Sequence, residues 1–370
     1  DLAIKTAEHQ LSAQLIVAIK TAYNNIETFH AAQKLDDLKV VTMDGVECWQ
    51  RAISIAAVGL YIPGGTAPLF STVLMLGIPA KIAGCDDVIL CSPPQENGEI
   101  HPATIYAAHL CGIKKIFRVG GSQAIAAMTL GTESVPKVNK LFGPGNQYVT
   151  AAKQRAQKYG VSIDLPAGPS EVLVYADDSA IPSFVASDLL SQAEHGVDSQ
   201  VILVSNSEEM ASKCNEEVIS QTITLPRNKI VLECLENSRI LIIDNSKMAF
   251  KFINDYAPEH LIIASEQPDQ YIPLIKNAGS VFLGNYSPES AGDYASGTNH
   301  TLPTGGYAKS YSGTNLDAFL KKITFQKLSK QGIQNLGNTI TTMAREEQLE
   351  AHARAVEIRL NSLTQKKDLG

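Results

Sequence analysis

The feature that most limits how this chain can fold is a regular alternation of short apolar runs with helical stretches, carried twice along its length. The first pass opens at Val58-Gly59-Leu60-Tyr61-Ile62-Pro63-Gly64-Gly65, a strand-like run entering a glycine-containing loop, with a helix from about Ser71. It continues as strand 87–91, helix 102–111 and strand 115–119, then Gly120-Gly121-Ser122-Gln123 opens a helix to residue 128. Strand 138–142 follows, and Gly143-Pro144-Gly145-Asn146 opens a helix to residue 158. Strands spaced by helices of this length require right-handed crossovers and a mostly parallel sheet. The three glycine-containing loops then follow strands at one edge of that sheet, where open α/β sheets bind ligands. Taken singly each is a common turn; the first is not GxGxxG and has no P-loop lysine. Together they favour a nucleotide or similar ligand.

A Pro- and Gly-rich crossing, Asp164-Leu165-Pro166-Ala167-Gly168-Pro169-Ser170-Glu171, leads into a second alternation. Its strands are expected at 172–175, 200–205, 239–243, 261–264 and 280–283, with helices at 182–195, from 208, at 247–256 and at 268–276. The rhythm repeats without a clear sequence repeat. Before the first alternation, residues 1–33 read as one helix, with Leu11, Leu15, Ala18, Ala22, Ile26 and Phe29 at helical spacing. Residues 39–43 and 46–53 read as a hairpin around Asp44-Gly45. Residues 317–328 and 333–363 read as helical. A length of 370 residues suits two α/β units with smaller terminal parts. The expected boundaries are 1–60 for the N-terminal helix and hairpin, packing with the second α/β unit, 61–170 and 171–310 for the two α/β units, and 311–370 for a helical C-terminal domain.

Composition removes several classes. The formal charge is −7 with acids and bases interspersed, so no basic stripe invites nucleic acid. No apolar run is long enough to span a membrane and no secretory pattern opens the chain. The six cysteines form no CxxC pair and are too sparse for a disulfide scaffold. They read as reduced thiols of a cytoplasmic protein, which leaves nitrogen and oxygen as the donors for any metal.

The candidate chemistry sits in the second half. In Asp188-Leu189-Leu190-Ser191-Gln192-Ala193-Glu194-His195-Gly196, Gln192 and His195 are three apart and share a helical face. A carboxamide oxygen and an imidazole aimed at one point can hold a metal ion or polar substrate. An isolated pair is better explained as a polar helix end capped by Gly196. Glu259 and His260 of Tyr256-Ala257-Pro258-Glu259-His260 lie between a helix and a strand, where two proton-handling groups could face a cleft. A solvated Glu beside a hydrogen-bonded His is the competing explanation. Residues 285–306 are polar and Gly-rich with little helix or strand signal, and a loop that long in a compact domain is usually functional or disordered. That loop holds Asp293 and His300. Glu347 and His352 are five apart on the last helix, so spacing alone leaves both as surface charge.

In this order, GPGNQYVTAAK, DLPAGPSEVLV, DLLSQAEHG, APEHL and SAGDYASGTNHTLPTGG resemble histidinol dehydrogenase, with the resemblance running from about Lys39 to the C-terminus. The resemblance implies NAD-dependent oxidation of L-histidinol to L-histidine through bound L-histidinal, the last steps of histidine biosynthesis, with one zinc ion per subunit. It implies a domain-swapped homodimer built from two incomplete Rossmann-like α/β units with mostly parallel sheets and small terminal domains, the C-terminal one reaching the partner. Carried over by motif, the zinc ligands are Gln192, His195, Asp293 and His352, with His352 supplied by the other subunit. Ser170, Glu347, His260 and the zinc ligands contact histidinol, and Glu259 and His260 are the acid-base pair. Tyr61, Gln123 and Asn146, one from each glycine-containing loop, line the NAD site. Gly196 stands where the family often has Asp, and the family carries a further N-terminal segment that this chain lacks or shows only in part. Two other readings stand beside this one. A related zinc and NAD dehydrogenase acting on another amino or sulfonated alcohol is disfavoured by Glu347 and His352, which suit an amine and an imidazole. A catalytically silent metal- or nucleotide-binding protein is disfavoured by the intact Glu259-His260 pair.

Overall fold

The chain opens with two helices, α1 (Leu2–His9) and α2 (Ala13–Ala31), where sequence periodicity suggests one. The break falls at Ser12, whose hydroxyl accepts from the Leu15 N–H and so starts a new helix. The computed structural model describes residues 2–64, 68–166 and 168–365; Gly65 of the first loop and Ala167 of the crossing lie outside the described residues. A hairpin follows, β1 (Leu38–Met43) and β2 (Val46–Ser54), antiparallel as expected, with Gly45 at φ +78° in its turn.

The first alternation forms β3 (Ala57–Tyr61), α3 (Phe70–Ala83), β4 (Asp87–Ser92), α4 (Pro102–Leu110), β5 (Lys115–Arg118), α5 (Gly121–Leu130), β6 (Lys140–Phe142), α6 (Gln147–Ala156) and a short β7 (Ser162–Ile163). Its five strands are all parallel in the order β5-β4-β3-β6-β7. The second alternation forms β8 (Glu171–Ala176), α7 (Pro182–Ala193), β9 (Gln200–Ser205), α8 (Glu208–Thr222), α9 (Asn228–Glu236), β10 (Arg239–Ile242), α10 (Ser246–Tyr256), β11 (His260–Ala264), β12 (Ser280–Leu283) and α11 (Glu289–Tyr294). Its strands are again all parallel, in the order β10-β9-β8-β11-β12. Numbered within each sheet, both orders are 3-2-1-4-5, the order of a doubly wound nucleotide-binding sheet without its sixth strand.

Continuous apolar sequence explains the buried strands. All six residues of β8 and all five of β11 are buried, as parallel strands covered on both faces must be. α3 is apolar all round and buried from Ser71 to Ala80, because it lies between its sheet and α2. α2 contributes Ile19, Ala22 and Ile26 to that same core. It therefore covers the first α/β sheet and not the second, contrary to the expected grouping.

Two further expectations fail for physical reasons. Residues 317–328 are not a helix: a 3-10 turn at Leu316–Phe319 leads into β13 (Leu320–Leu328). That strand joins β1 and β2 in a three-stranded sheet, and Phe325 stacks on Trp49 with ring centroids 5.4 Å apart. Its partner strand lies far away in sequence, so no local pattern announces it. The last helix is two, α12 (Lys330–Glu346) and α13 (Glu350–Gln365), broken at Gln348 with φ +61°. Contact clustering divides the chain into one unit of residues 1–34 and 54–319 and a second of 35–53 and 320–370. The hairpin therefore groups with the C-terminal helices through β13, not with α1 and α2. Among the described residues no helix is long and apolar enough to cross a membrane.

Candidate active site

Four segments of the larger unit converge at the amino ends of β8 and β11. α7 ends with Gln192, fully buried, and His195 follows just beyond its last turn. β11 begins with His260, and Glu259 directly precedes it; they are 4% and 7% exposed. α11 places Glu289 and Asp293 four apart on one face, Glu289 buried and Asp293 half-buried. Ser170 immediately precedes β8 and is half-buried.

The Glu171 peptide holds both Glu259 and His260. Its N–H donates to Glu259 Oε2 at 3.0 Å, and its carbonyl oxygen lies 3.0 Å from His260 Nδ1. A carbonyl only accepts, so Nδ1 carries hydrogen and Nε2 is the open position. Nε2 is buried without a hydrogen-bond partner, 3.6 Å from Asp293 Oδ1. The Gln192 amide satisfies both neighbours in one orientation, its nitrogen donating to Glu289 Oε1 and its oxygen accepting from Glu171 N–H at 3.3 Å.

His300 anchors the loop beyond. Its Nδ1 lies 2.9 Å from the Asp293 carbonyl oxygen and its Nε2 3.0 Å from Thr72 Oγ1, so it ties α11 to α3. Asn299 donates to the Met75 carbonyl, and Asn25 of α2 donates to that of Ala295. The polar run 285–306 is thus ordered by hydrogen bonds, and its one stretch of helix carries both carboxylates.

Electrostatically the cluster has an excess of acid. Burial pushes the Glu259 carboxyl up to about 7 and raises Glu289 as well. Burial works against charging His260, but Glu289, Glu259 and Asp293 outweigh it and push the imidazole up to about 10. Burial also opposes ionising Asp293, but its contact with His260 holds it below the usual carboxylate range. His195 is exposed at the rim, yet the desolvation of its inner side lowers its pKa. Buried carboxylates in this density favour a bound cation. The donors suit zinc: the Gln192 oxygen, the His195 ring and Asp293 form a nitrogen/oxygen set. His260, Glu289 and Asp293 also present ligand atoms within 4.8 Å of one another, and Glu289 Oε2 is buried without a partner. The two sets share Asp293 and differ in whether His260 is left free to act as a base.

The expected set is only partly assembled within the chain. Gln192, His195, Glu259, His260 and Asp293 come together, with Ser170 beside them. Glu347 and His352 belong to the second unit, where both are exposed. Glu289 escaped the sequence reading, although its four-residue spacing from Asp293 after Pro288 was a usable signal.

Tyr61, Gln123 and Asn146 lie at the carboxyl edge of the first sheet. Tyr61 ends β3, and its hydroxyl accepts from the Gly121 N–H at 3.0 Å, joining the first loop to the second. Asn146 caps α6 by accepting from the N–H groups of Tyr148 and Val149, and Gln123 is exposed on the first turn of α5. A cavity of about 640 Å³ opens at this edge, lined by Gly64, Ser92, Gln95, Asn97, His101 and Thr104 among others. Its size and mixed lining fit a cofactor. None of the three named side chains lines it directly. Pro63 and Pro68 also line this cavity, and Thr72 of α3 meets His300.

Against known proteins, a family profile described as histidinol dehydrogenase matches residues 1–360. The histidinol dehydrogenase of Bacteroides thetaiotaomicron is 59% identical over 360 residues, 97% of this chain and 84% of that protein. That of Vibrio parahaemolyticus is 54% identical over 366 residues, 98% of this chain and 84% of that protein. The crystal structure of histidinol dehydrogenase from Elizabethkingia anophelis superposes with a TM-score of 0.96 at 58% identity, covering 98% of this chain and 84% of that one.

Proposed function

The chain belongs to the histidinol dehydrogenase family and oxidises histidinol in histidine biosynthesis, and from that premise we propose how its residues divide the work. Gln192, His195 and Asp293 would hold one zinc ion, together with His352 of the partner subunit. Ser170 and Glu347 of the partner subunit join these groups in binding L-histidinol, and NAD lies against the loops of Tyr61, Gln123 and Asn146. When bound, zinc supplies an anchor for the imidazole and amine of the substrate, and NAD supplies the hydride acceptor. The dimer is domain-swapped, so each site is completed by the partner.

His260 Nε2 takes the hydroxyl proton in the first oxidation, to L-histidinal. A cation bound beside Glu289, Glu259 and Asp293 would offset the charges that hold a proton on His260 and so ready the ring as a base. Glu259 then takes a proton from the water that adds to the aldehyde, and the second hydride leaves from the hydrate. Gln192, kept in orientation by Glu289, fixes the near side of the site. The hydrogen-bonded run 295–305 keeps bulk water from the aldehyde.

The observation that carries this reading is the Glu171 peptide, which aims an unpartnered His260 Nε2 and the Glu259 carboxylate at the same cluster. It is tested by mixing the protein with L-histidinol and NAD and measuring NADH and histidine. Two NADH per histidine, with turnover lost to a strong chelator and restored by zinc, is the expected result. Turnover that survives complete removal of metal would overturn the zinc assignment. Because Glu259 must be ionised to act as a base, oxidation of supplied L-histidinal should slow as pH falls below about 7. The variant Glu259→Gln should slow that half-reaction by about 10²-fold while leaving the first hydride transfer measurable in a single turnover. An unaffected second half would assign the water-activating role elsewhere.

A further inference from the structure

A buried ion pair sits under the third glycine-containing loop, away from the zinc cluster. Lys153, in the last turn of α6, meets Asp164, just after β7, with Nζ 2.5 Å from Oδ1 and side chains 3% and 1% exposed. The pair grips both polar atoms of one residue. Asp164 Oδ2 accepts from the Gly143 N–H at 2.8 Å, and Lys153 Nζ donates to the Gly143 carbonyl at 2.8 Å. Asp164 Oδ1 also accepts from the Leu165 N–H at 2.7 Å, so the pair is well satisfied.

Gly143 is buried with φ +123°, and a Cβ there would collide with the Tyr61 carbonyl oxygen. Its peptide is therefore pressed against the end of β3, three residues before Asn146. Buried ion pairs are poor stabilising devices, since apolar residues of similar volume often do as well. They do fix geometry, and here the geometry fixed is that of two loops at the carboxyl edge of the first sheet.

We propose that Lys153 and Asp164 are positioning residues for the dinucleotide, clamping the Gly143 peptide so that Tyr61 and Asn146 keep their spacing at the cofactor edge. The proposal rests on the reading that NAD binds at this edge. The clamp acts on the cofactor alone: neither residue touches the Glu259, His260 or Gln192 cluster.

The test measures NAD binding by calorimetry, together with zinc content and the separate KM values for NAD and histidinol. In Lys153→Met/Asp164→Asn, which leaves no lone buried charge, NAD affinity should fall about tenfold, equivalent to ~1.4 kcal/mol. Zinc content and the KM for histidinol should stay as in the wild type, and Lys153→Arg, which keeps the charge and donors, should recover part of the NAD affinity. Gly143→Ala, which displaces the same peptide from the other side, should weaken NAD in the same selective way. NAD affinity unchanged in both the double variant and Gly143→Ala would overturn the clamp. So would parallel loss of zinc, histidinol and NAD binding, which would mark a general loosening of the fold. A wild-type protein that oxidises histidinol yet does not bind NAD would overturn the cofactor reading itself, and the clamp with it.

Discussion

Substituting asparagine for His260 is expected to slow histidinol turnover by about 10²–10⁴-fold while the protein keeps its zinc. The magnitude follows from what the ring does. Nδ1 donates to the Glu171 carbonyl, and that bond selects the tautomer whose Nε2 can accept a proton. An asparagine amide can still donate to that carbonyl, but it places no basic atom where Nε2 was. Steady-state kinetics with metal analysis on the same sample gives the answer. Full activity would remove His260 from the reaction. Loss of zinc would instead move it into the metal shell with Glu289 and Asp293, the competing ligand group.

The second large effect is a recovery. His352→Ala and His260→Asn subunits should each be nearly inactive alone. In a dimer with shared sites, a mixed pair carries both defects in one site and none in the other. Random exchange should then restore about a quarter of wild-type activity. The measurement is activity after confirmed subunit exchange, read against the two unmixed samples. No recovery from a demonstrated heterodimer would place His352 in the site of its own chain or outside the site altogether. The family resemblance implies sharing, and His352 and Glu347 are exposed in the second unit, open to a partner's site.

Most of the architecture was legible because it is written locally. Apolar runs of strand length, glycine-containing loops and helical spacing predicted both parallel sheets, and nearly every strand falls within a residue or two of its expected place. What failed was set by distant partners or by single residues. β13 becomes a strand because β2 offers it an edge, and α1 and α2 separate because one serine caps the second helix. The short β7 and the helix α9 carry too few residues for a periodic signal. The site divides in the same way. Gln192 and His195 were visible as residues three apart at a helix end, although the helix stops at Ala193 and leaves His195 just beyond it. Their meeting with His260 and Asp293 needed the motif resemblance, because a cluster drawn from α7, β11 and α11 has no signature in spacing. Glu289 was missed because its four-residue spacing from Asp293 after Pro288 was not read as a turn of helix.

The peptide of Glu171 has a wider consequence. The two groups that handle protons are held by main-chain atoms of a neighbouring strand, in a register that pairs His260 with Val172. Their alignment therefore depends on strand register, where a slip of one residue would turn both away, while the Glu171 side chain is held separately by the Gly305 N–H. The placement of Glu259 and His260 is thus a property of the β8–β11 ladder itself.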